Sequence, residues 1–159
     1  MHTEIADPAF LDTDTASDRA GTICMVALFE DMLSDAIRNR LVRLSKQEDA
    51  RMFGERGCIG TLAAKIDIGY AIGLYGVETM AVLHNARRIR NKFAHLHEAD
   101  SFDHPEVQRI SCKLPGCEPG RAGEARSNFN KALLAVAMRL KTVPSTDDEG
   151  RPAAPAELP

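Results

Sequence analysis

The chain has 159 residues, 44% of them apolar and 27% charged, and a formal net charge of −3. That is the composition of one soluble globular domain, and a negative total argues against a protein dedicated to coating DNA. No apolar run approaches the ~20 residues that cross a bilayer, and with no tryptophan and only 5% aromatic residues the core must be mostly aliphatic.

Residues 1–17 hold Glu4, Asp7, Asp12 and Asp14 and no Lys or Arg, and read as a flexible acidic segment. They show neither the basic start nor the apolar stretch of a secretory signal, which predicts a cytoplasmic location and no membrane association. The cysteines Cys24, Cys58, Cys112 and Cys117 are accordingly expected as reduced thiols. Cys112 and Cys117 in "CKLPGC" lack the spacing and the further ligands of a tetrahedral zinc site. No metal and no cofactor are expected.

"SDRAGTICMVALFEDMLSDAIRNRLVRL" follows a cluster, Thr15, Ser17 and Asp18, able to cap a helix. Val26, Phe29, Leu33, Ile37, Leu41 and Leu44 recur at three- and four-residue spacing, predicting one helix as far as Leu44. Its acids Glu30, Asp31 and Asp35 read as a solvated face, because the Glu-x-x-His partner of a di-metal bundle is missing. "SKQEDARMFGERGCIG" reads as a loop through Gly54, Gly57 and Gly60. "TLAAKIDIGYAIGLYG" is apolar nearly all round, so a central helix stopping near Gly73 and Gly76 is expected.

"VETMAVLHNARRIRNKFAHLH" is the fourth main segment. At 100° per residue Val82, Ala86, Ile89 and Phe93 form its core side, and His84, Arg88, Asn91, Lys92 and His95 form one polar stripe. His97 falls beside the core side and is expected to be packed, whereas His84 and His104 have no readable partner. Arg90 falls close to the apolar face, where an unpaired charge is costly. Asp67, isolated in "KIDIGYAIGL", has the converse problem, so a structural ion pair between Asp67 and Arg90 is predicted.

"SFDHPEVQRISCKL" restarts the chain with Pro105 at a first helical position and Asp103 or His104 ahead of it as cap. "LPGCEPG" breaks that helix. A last helix over about 122–142 carries Phe129, Leu133, Val136, Ala137 and Leu140 on one face. Residues 144–159 contain four prolines, and Asp147, Asp148, Glu149 and Glu157 against Arg151. That predicts a disordered tail, and leaves residues 18–143 mildly basic between two acidic ends. No segment alternates with a two-residue period. The expected fold is all-α, a single helical bundle of four main helices plus short helices.

"KIDIGYAIGL", "RRIRNKFAH" and "SFDHPEV", taken together over residues 18–140, resemble the mannitol operon repressor (MltR) family. The resemblance implies an all-α fold and a repressor-type role in gene regulation without a helix-turn-helix, and no pair of helices here reads as one. "RNKFAH" also resembles the motif of HEPN domains, small α-bundles whose catalytic members cut RNA without metal where two copies meet. That resemblance would make Arg90 the phosphate clamp, His95 the acid/base and Asn91 the motif's polar residue. Arginine can hold the phosphate as charge builds while histidine moves the proton.

The residues by themselves leave "RRIRNK" open between a solvated helix face, a contact surface and a catalytic element. As a contact surface, Arg87, Arg88, Asn91, Lys92 and His95 would meet a regulatory protein partner or make weak contact with nucleic acid. A histidine at the end of a helix is also favoured there simply as a cation. A body with basic and acidic stripes is compatible with a homodimer.

Overall fold

The computed structural model describes residues 17–95, 101–115 and 124–141. Six helices follow in order: α1 (Asp18–Arg38), α2 (Lys46–Phe53), α3 (Leu62–Ala71), α4 (Val77–His95), α5 (Pro105–Ser111) and α6 (Ala125–Lys141). No strand occurs among the described residues, and the expected all-α bundle of four longer and two short helices is what forms. The two acidic ends, His97 and Cys117 lie outside the described residues.

Local signals set most helix starts. The Ser17 hydroxyl accepts from the Ala20 backbone N–H at 3.2 Å to begin α1, and Thr61 does the same for Ala64 in α3. Pro105 opens α5 behind His104, whose Nδ1 accepts from the Glu106 N–H at 3.3 Å, so the cap is His104 and not Asp103. Each of these satisfies a backbone donor that the first helical turn leaves without a partner.

Two expectations fail around residues 38–53. The first helix ends at Arg38 instead of continuing to Leu44, and the predicted loop contains α2. One set of contacts explains both. Arg38 forks onto Asp49 of α2, with Nε–Oδ1 at 2.7 Å, and lies over the Phe53 ring at 4.2 Å. Burial alone would lower its pKa, but the hydrogen bonds and charges of Asp49 and Asp35 outweigh this and raise it. The chain therefore turns back after Arg38, and Leu41 packs on the core from outside any helix. The start of α2 was written locally all along. Ser45 and Glu48 form a capping box, each side chain bonding the other's backbone N–H.

Helix α3 is not wrapped by protein as its apolar composition suggests. Leu62, Lys65, Ile66 and Gly69 are buried, while Asp67 and Tyr70 face solvent. Lys65 reaches Glu30 of α1 at 2.7 Å, so that acid belongs to an interhelical ion pair instead of a solvated face. After α3 the chain turns through Gly73, whose φ of 75° suits glycine. The helix thus stops next to Gly73 as expected, and a short glycine-containing turn leads into α4. The helices fold back alongside each other, because Asp67 before the turn meets His84 after it. Tyr75 closes the hairpin by donating to the Ile66 carbonyl at 2.8 Å. A Cβ on Gly69 would collide with the Tyr75 hydroxyl and lie 2.8 Å from its Cζ, so only glycine admits the ring. Burial, and then the Asp67 charge, push the Tyr75 phenol well above its ordinary value, keeping it a donor.

Helix α4 sits at the centre and packs against α1, α3, α5 and α6. Its Val82, Ala86, Ile89 and Phe93 are buried as expected, as are Phe129, Leu133, Val136 and Leu140 of α6. Phe93 meets Phe102 edge-on at 5.3 Å, and Phe102 meets Phe129 at 5.4 Å. Asp18 ties this end together. Its Oδ2 accepts from the Phe102 N–H at 2.9 Å, and its Oδ1 pairs with Arg126 at 3.1 Å. No helix among the described residues is long and apolar enough to cross a membrane.

Candidate binding ridge on helix α4

The predicted polar stripe of α4 divides once its neighbours are in place. His84 is bound by Asp67 of α3, Nε2–Oδ1 at 2.9 Å, and Lys92 is bound by Glu106 of α5. Both are thus employed in fixing helix positions. Neither had a partner legible in the sequence, because each partner lies on another helix.

The predicted Asp67–Arg90 pair does not form. Asp67 is 63% exposed and turned to His84. Arg90 lies six residues further along α4, about 9 Å higher and on the other side of that face. Its chain is half-buried, and its Nε is buried with no hydrogen-bond partner among the described residues. Arg87 repeats the pattern, half-buried with an unbonded buried Nε.

What remains is Arg87, Arg88, Arg90, Asn91 and His95. Arg88 and His95 are exposed, and the other three are half-buried. No side-chain hydrogen bond or ion pair engages any of the five among the described residues. Arg87, Asn91 and His95 are four residues apart in succession, so they form one row about 12 Å long. Arg88 and Arg90 flank it. The result is a cationic ridge with amide and imidazole donors, carried on the most firmly packed helix of the bundle. Arg87 and Arg90 are half-buried with the Nε out of solvent, so only the outer ends of their guanidinium groups are open to a partner. Two fixed guanidinium groups with spare donors suit planar oxyanions, carboxylate or phosphate, better than a point cation would.

Other candidate features contribute nothing at this ridge. An open recess of about 360 Å³ lies at the α1–α2 corner, lined by Arg38, Val42, Leu44, Lys46 and Asp49. Among the described residues no three His, Cys, Asp or Glu side chains come together as a metal site. Arg90 and His95, the acid/base pair implied by the HEPN resemblance, lie about 140° apart on the helix, so one chain does not bring them onto one atom. The buried Nε atoms of Arg87 and Arg90 are what sequence reasoning missed, since their packing depends on which helices flank α4.

The pair of Lys92 and Glu106 makes a prediction. The hydrogen bond and charge of Lys92 hold the Glu106 carboxyl below its ordinary 4.5, and the Ser45 backbone N–H does the same for Glu48. A carboxyl with a depressed folded-state pKa stabilises the fold above its unfolded value, and loses that contribution as pH falls through the folded value. The melting temperature is therefore expected to decline as pH drops below 4.5, and Lys92→Met should flatten part of that slope. Superimposable melting curves against pH for the parent and Lys92→Met would refute it.

Comparison with known proteins adds no relative. No protein-family model, curated protein or solved structure matches this chain. Much of the wording behind the two resemblances has a folding role: Lys65, Asp67 and Gly69 in "KIDIGYAIGL", Phe93 in "RNKFAH", and Phe102, His104, Pro105 and Glu106 in "SFDHPEV". The ridge residues are the part of those motifs that folding leaves unused.

Proposed function

We propose that this protein is a small regulator of the mannitol operon repressor type, which acts by gripping an acidic surface on a protein partner with the α4 ridge. The observation that carries the reading is the state of Arg87 and Arg90, whose buried Nε atoms have no acceptor among the described residues. A dehydrated donor left unbonded costs roughly 1–3 kcal/mol. A carboxylate docked on the outer Nη groups of the same guanidinium adds charge-assisted hydrogen bonds that offset part of that cost. Base reading by α4 is disfavoured because the helix packs against four others. Only its outer strip is free, whereas a recognition helix must enter the major groove. The net charge of −3 further weakens long-range attraction to a polyanion.

Fluorescence anisotropy tests this with three probes: an oligoglutamate peptide, the chain's own upstream duplex DNA and an unrelated duplex. The peptide is expected to bind with a marked salt dependence. Arg87→Glu with Arg90→Glu should weaken it by at least about tenfold, the equivalent of one lost charged contact. Sequence-specific retention of the upstream duplex, or peptide binding indifferent to the two substitutions, would sink the proposal.

A second reading, a HEPN-type ribonuclease or a bundle that only binds RNA, draws on the same observation, since a phosphate also satisfies Arg90. It predicts cleavage of RNA in EDTA that His95→Ala abolishes, or RNA binding that Arg90→Glu abolishes. An acidic protein partner predicts neither.

A further inference from the structure

On the side of the bundle away from the ridge, α1 and α6 run parallel, because Asp18 at the head of one pairs with Arg126 at the head of the other. Leu28 stands ten residues past Asp18, while Leu134 and Met138 stand eight and twelve past Arg126. Leu28 thus stands about midway in height between Leu134 and Met138. The three are 44%, 46% and 62% exposed. On the helix wheel the Asp18 and Arg126 directions mark where α1 and α6 face each other. Measured from there, Leu28 on α1 and Leu134 and Met138 on α6 turn outward, whereas Met25 and Met32 point towards the seam between the two helices. Met25 and Met32 are half-buried beneath it. Three large apolar side chains this exposed on the same face of two neighbouring helices, two methionines lying half-buried between those helices, mark a candidate contact face.

The outer edge of α1 and the C-terminal end of α6 carry opposite charge. Asp31 and Asp35 edge α1, thirteen and seventeen residues past Asp18, and Lys141 ends α6, fifteen past Arg126. From these features we infer that the seam is covered by a second copy of this chain, related by a two-fold axis running along the helices. That operation lays α1 of each copy on α6 of the other at equal height. Leu28 of one copy then falls between Leu134 and Met138 of its mate, and Lys141 of one falls between Asp31 and Asp35 of the other. Both apolar and charged complementarity close on themselves, as a two-fold contact requires. A basic foreign helix would fit the acidic edge and be repelled by the lysine end; the second copy satisfies both.

The size of the face sets the strength. The 17 residues of α6 extend about 25 Å, and two helices side by side are about 20 Å wide. Each copy thus buries on the order of 500 Å², which puts the pair at the lower end of specific interfaces and makes it a concentration-dependent dimer. The seam is on the solvent side of α1 and α6 and α4 packs on their inner side, so the dimer holds its two α4 ridges apart. It is a bivalent binder, and this contact does not unite two Arg90–His95 pairs.

Sedimentation of the full chain between about 1 and 200 µM, the range for such a face, is expected to show a monomer passing to a dimer. Met138→Lys, counted twice per dimer, should weaken association by about a hundredfold, with circular dichroism unchanged. Val77→Lys, at a residue 58% exposed on the first turn of α4, should leave it intact. Asp31→Lys with Asp35→Lys should also weaken it, and adding Lys141→Glu should recover most of the loss. A monomer at every concentration overturns the inference, as does a dimer that both Met138→Lys and the paired aspartate substitutions leave unchanged.

Discussion

Replacing Phe93 with alanine is expected to lower the unfolding free energy by about 3–5 kcal/mol, the range for a deleted core phenylalanine. Phe93 is 0% exposed, lies on the central helix and meets Phe102 edge-on. Phe102 in turn touches Phe129 of α6, and its backbone N–H is held by Asp18 of α1. Removing the Phe93 ring therefore opens a cavity where four parts of the chain converge. Little can collapse into it, because neighbouring Ile89 and Val107 are also 0% exposed and already packed. In so small a domain, a loss of this size is a large share of the 5–15 kcal/mol typical of folded proteins. Urea unfolding monitored by circular dichroism checks it. A decrease below about 1 kcal/mol, typical of a surface change, would show that the aromatic contact does not organise this end of the bundle.

Arg87→Met and Arg90→Met should behave in the opposite way. Methionine keeps much of the aliphatic stem and discards a guanidinium whose Nε is buried without an acceptor among the described residues. Exchanging an unsatisfied buried donor for an apolar group of similar shape is neutral or stabilising. The double variant is expected to be as stable as the parent, or more stable by up to about 1 kcal/mol. The same protein should lose at least about tenfold in oligoglutamate affinity, because both forks that accept carboxylates are gone. Stability and binding moving in opposite directions would mark the arginines as residues kept for contact. Destabilisation of more than about 1 kcal/mol would mark them as structural, and the ridge would lose its best support.

The elements that were legible in the sequence share a local cause. Ser17 caps α1 by accepting from Ala20 and His104 caps α5 by accepting from Glu106, each within three residues, so no tertiary knowledge is needed to place them. The apolar face expected on α6 survives in Phe129, Leu133, Val136 and Leu140, with Ala137 only half-buried at its margin, since a helix buries the face its own period makes apolar. The capping box of Ser45 and Glu48 was equally local, and went unread only because the glycines after it suggested a loop. The early end of α1 was different in kind. Leu41 and Leu44 continue the helical period, yet the Arg38 contacts with Asp49 and Phe53 turn the chain away.

The candidate site shows the same division more sharply. Sequence periodicity determined that α4 would have a core side and a cationic outer side, because residue spacing on a helix depends on nothing beyond the helix. It did not determine which cations would be left over. Lys92 and His84 looked equivalent to Arg88 and Asn91 on the wheel, but Glu106 and Asp67 engage them from α5 and α3. Arg90 looked like the partner of Asp67, and the α3–α4 register gave that acid to His84 instead. Which charges are satisfied is a property of helix packing, where a shift of one turn, about 5.4 Å, exchanges one partner for another. The all-α bundle was therefore determined by the sequence read locally, and which arginines of α4 are left without a partner among the described residues, and so free for the proposed contact, was decided only by the tertiary structure.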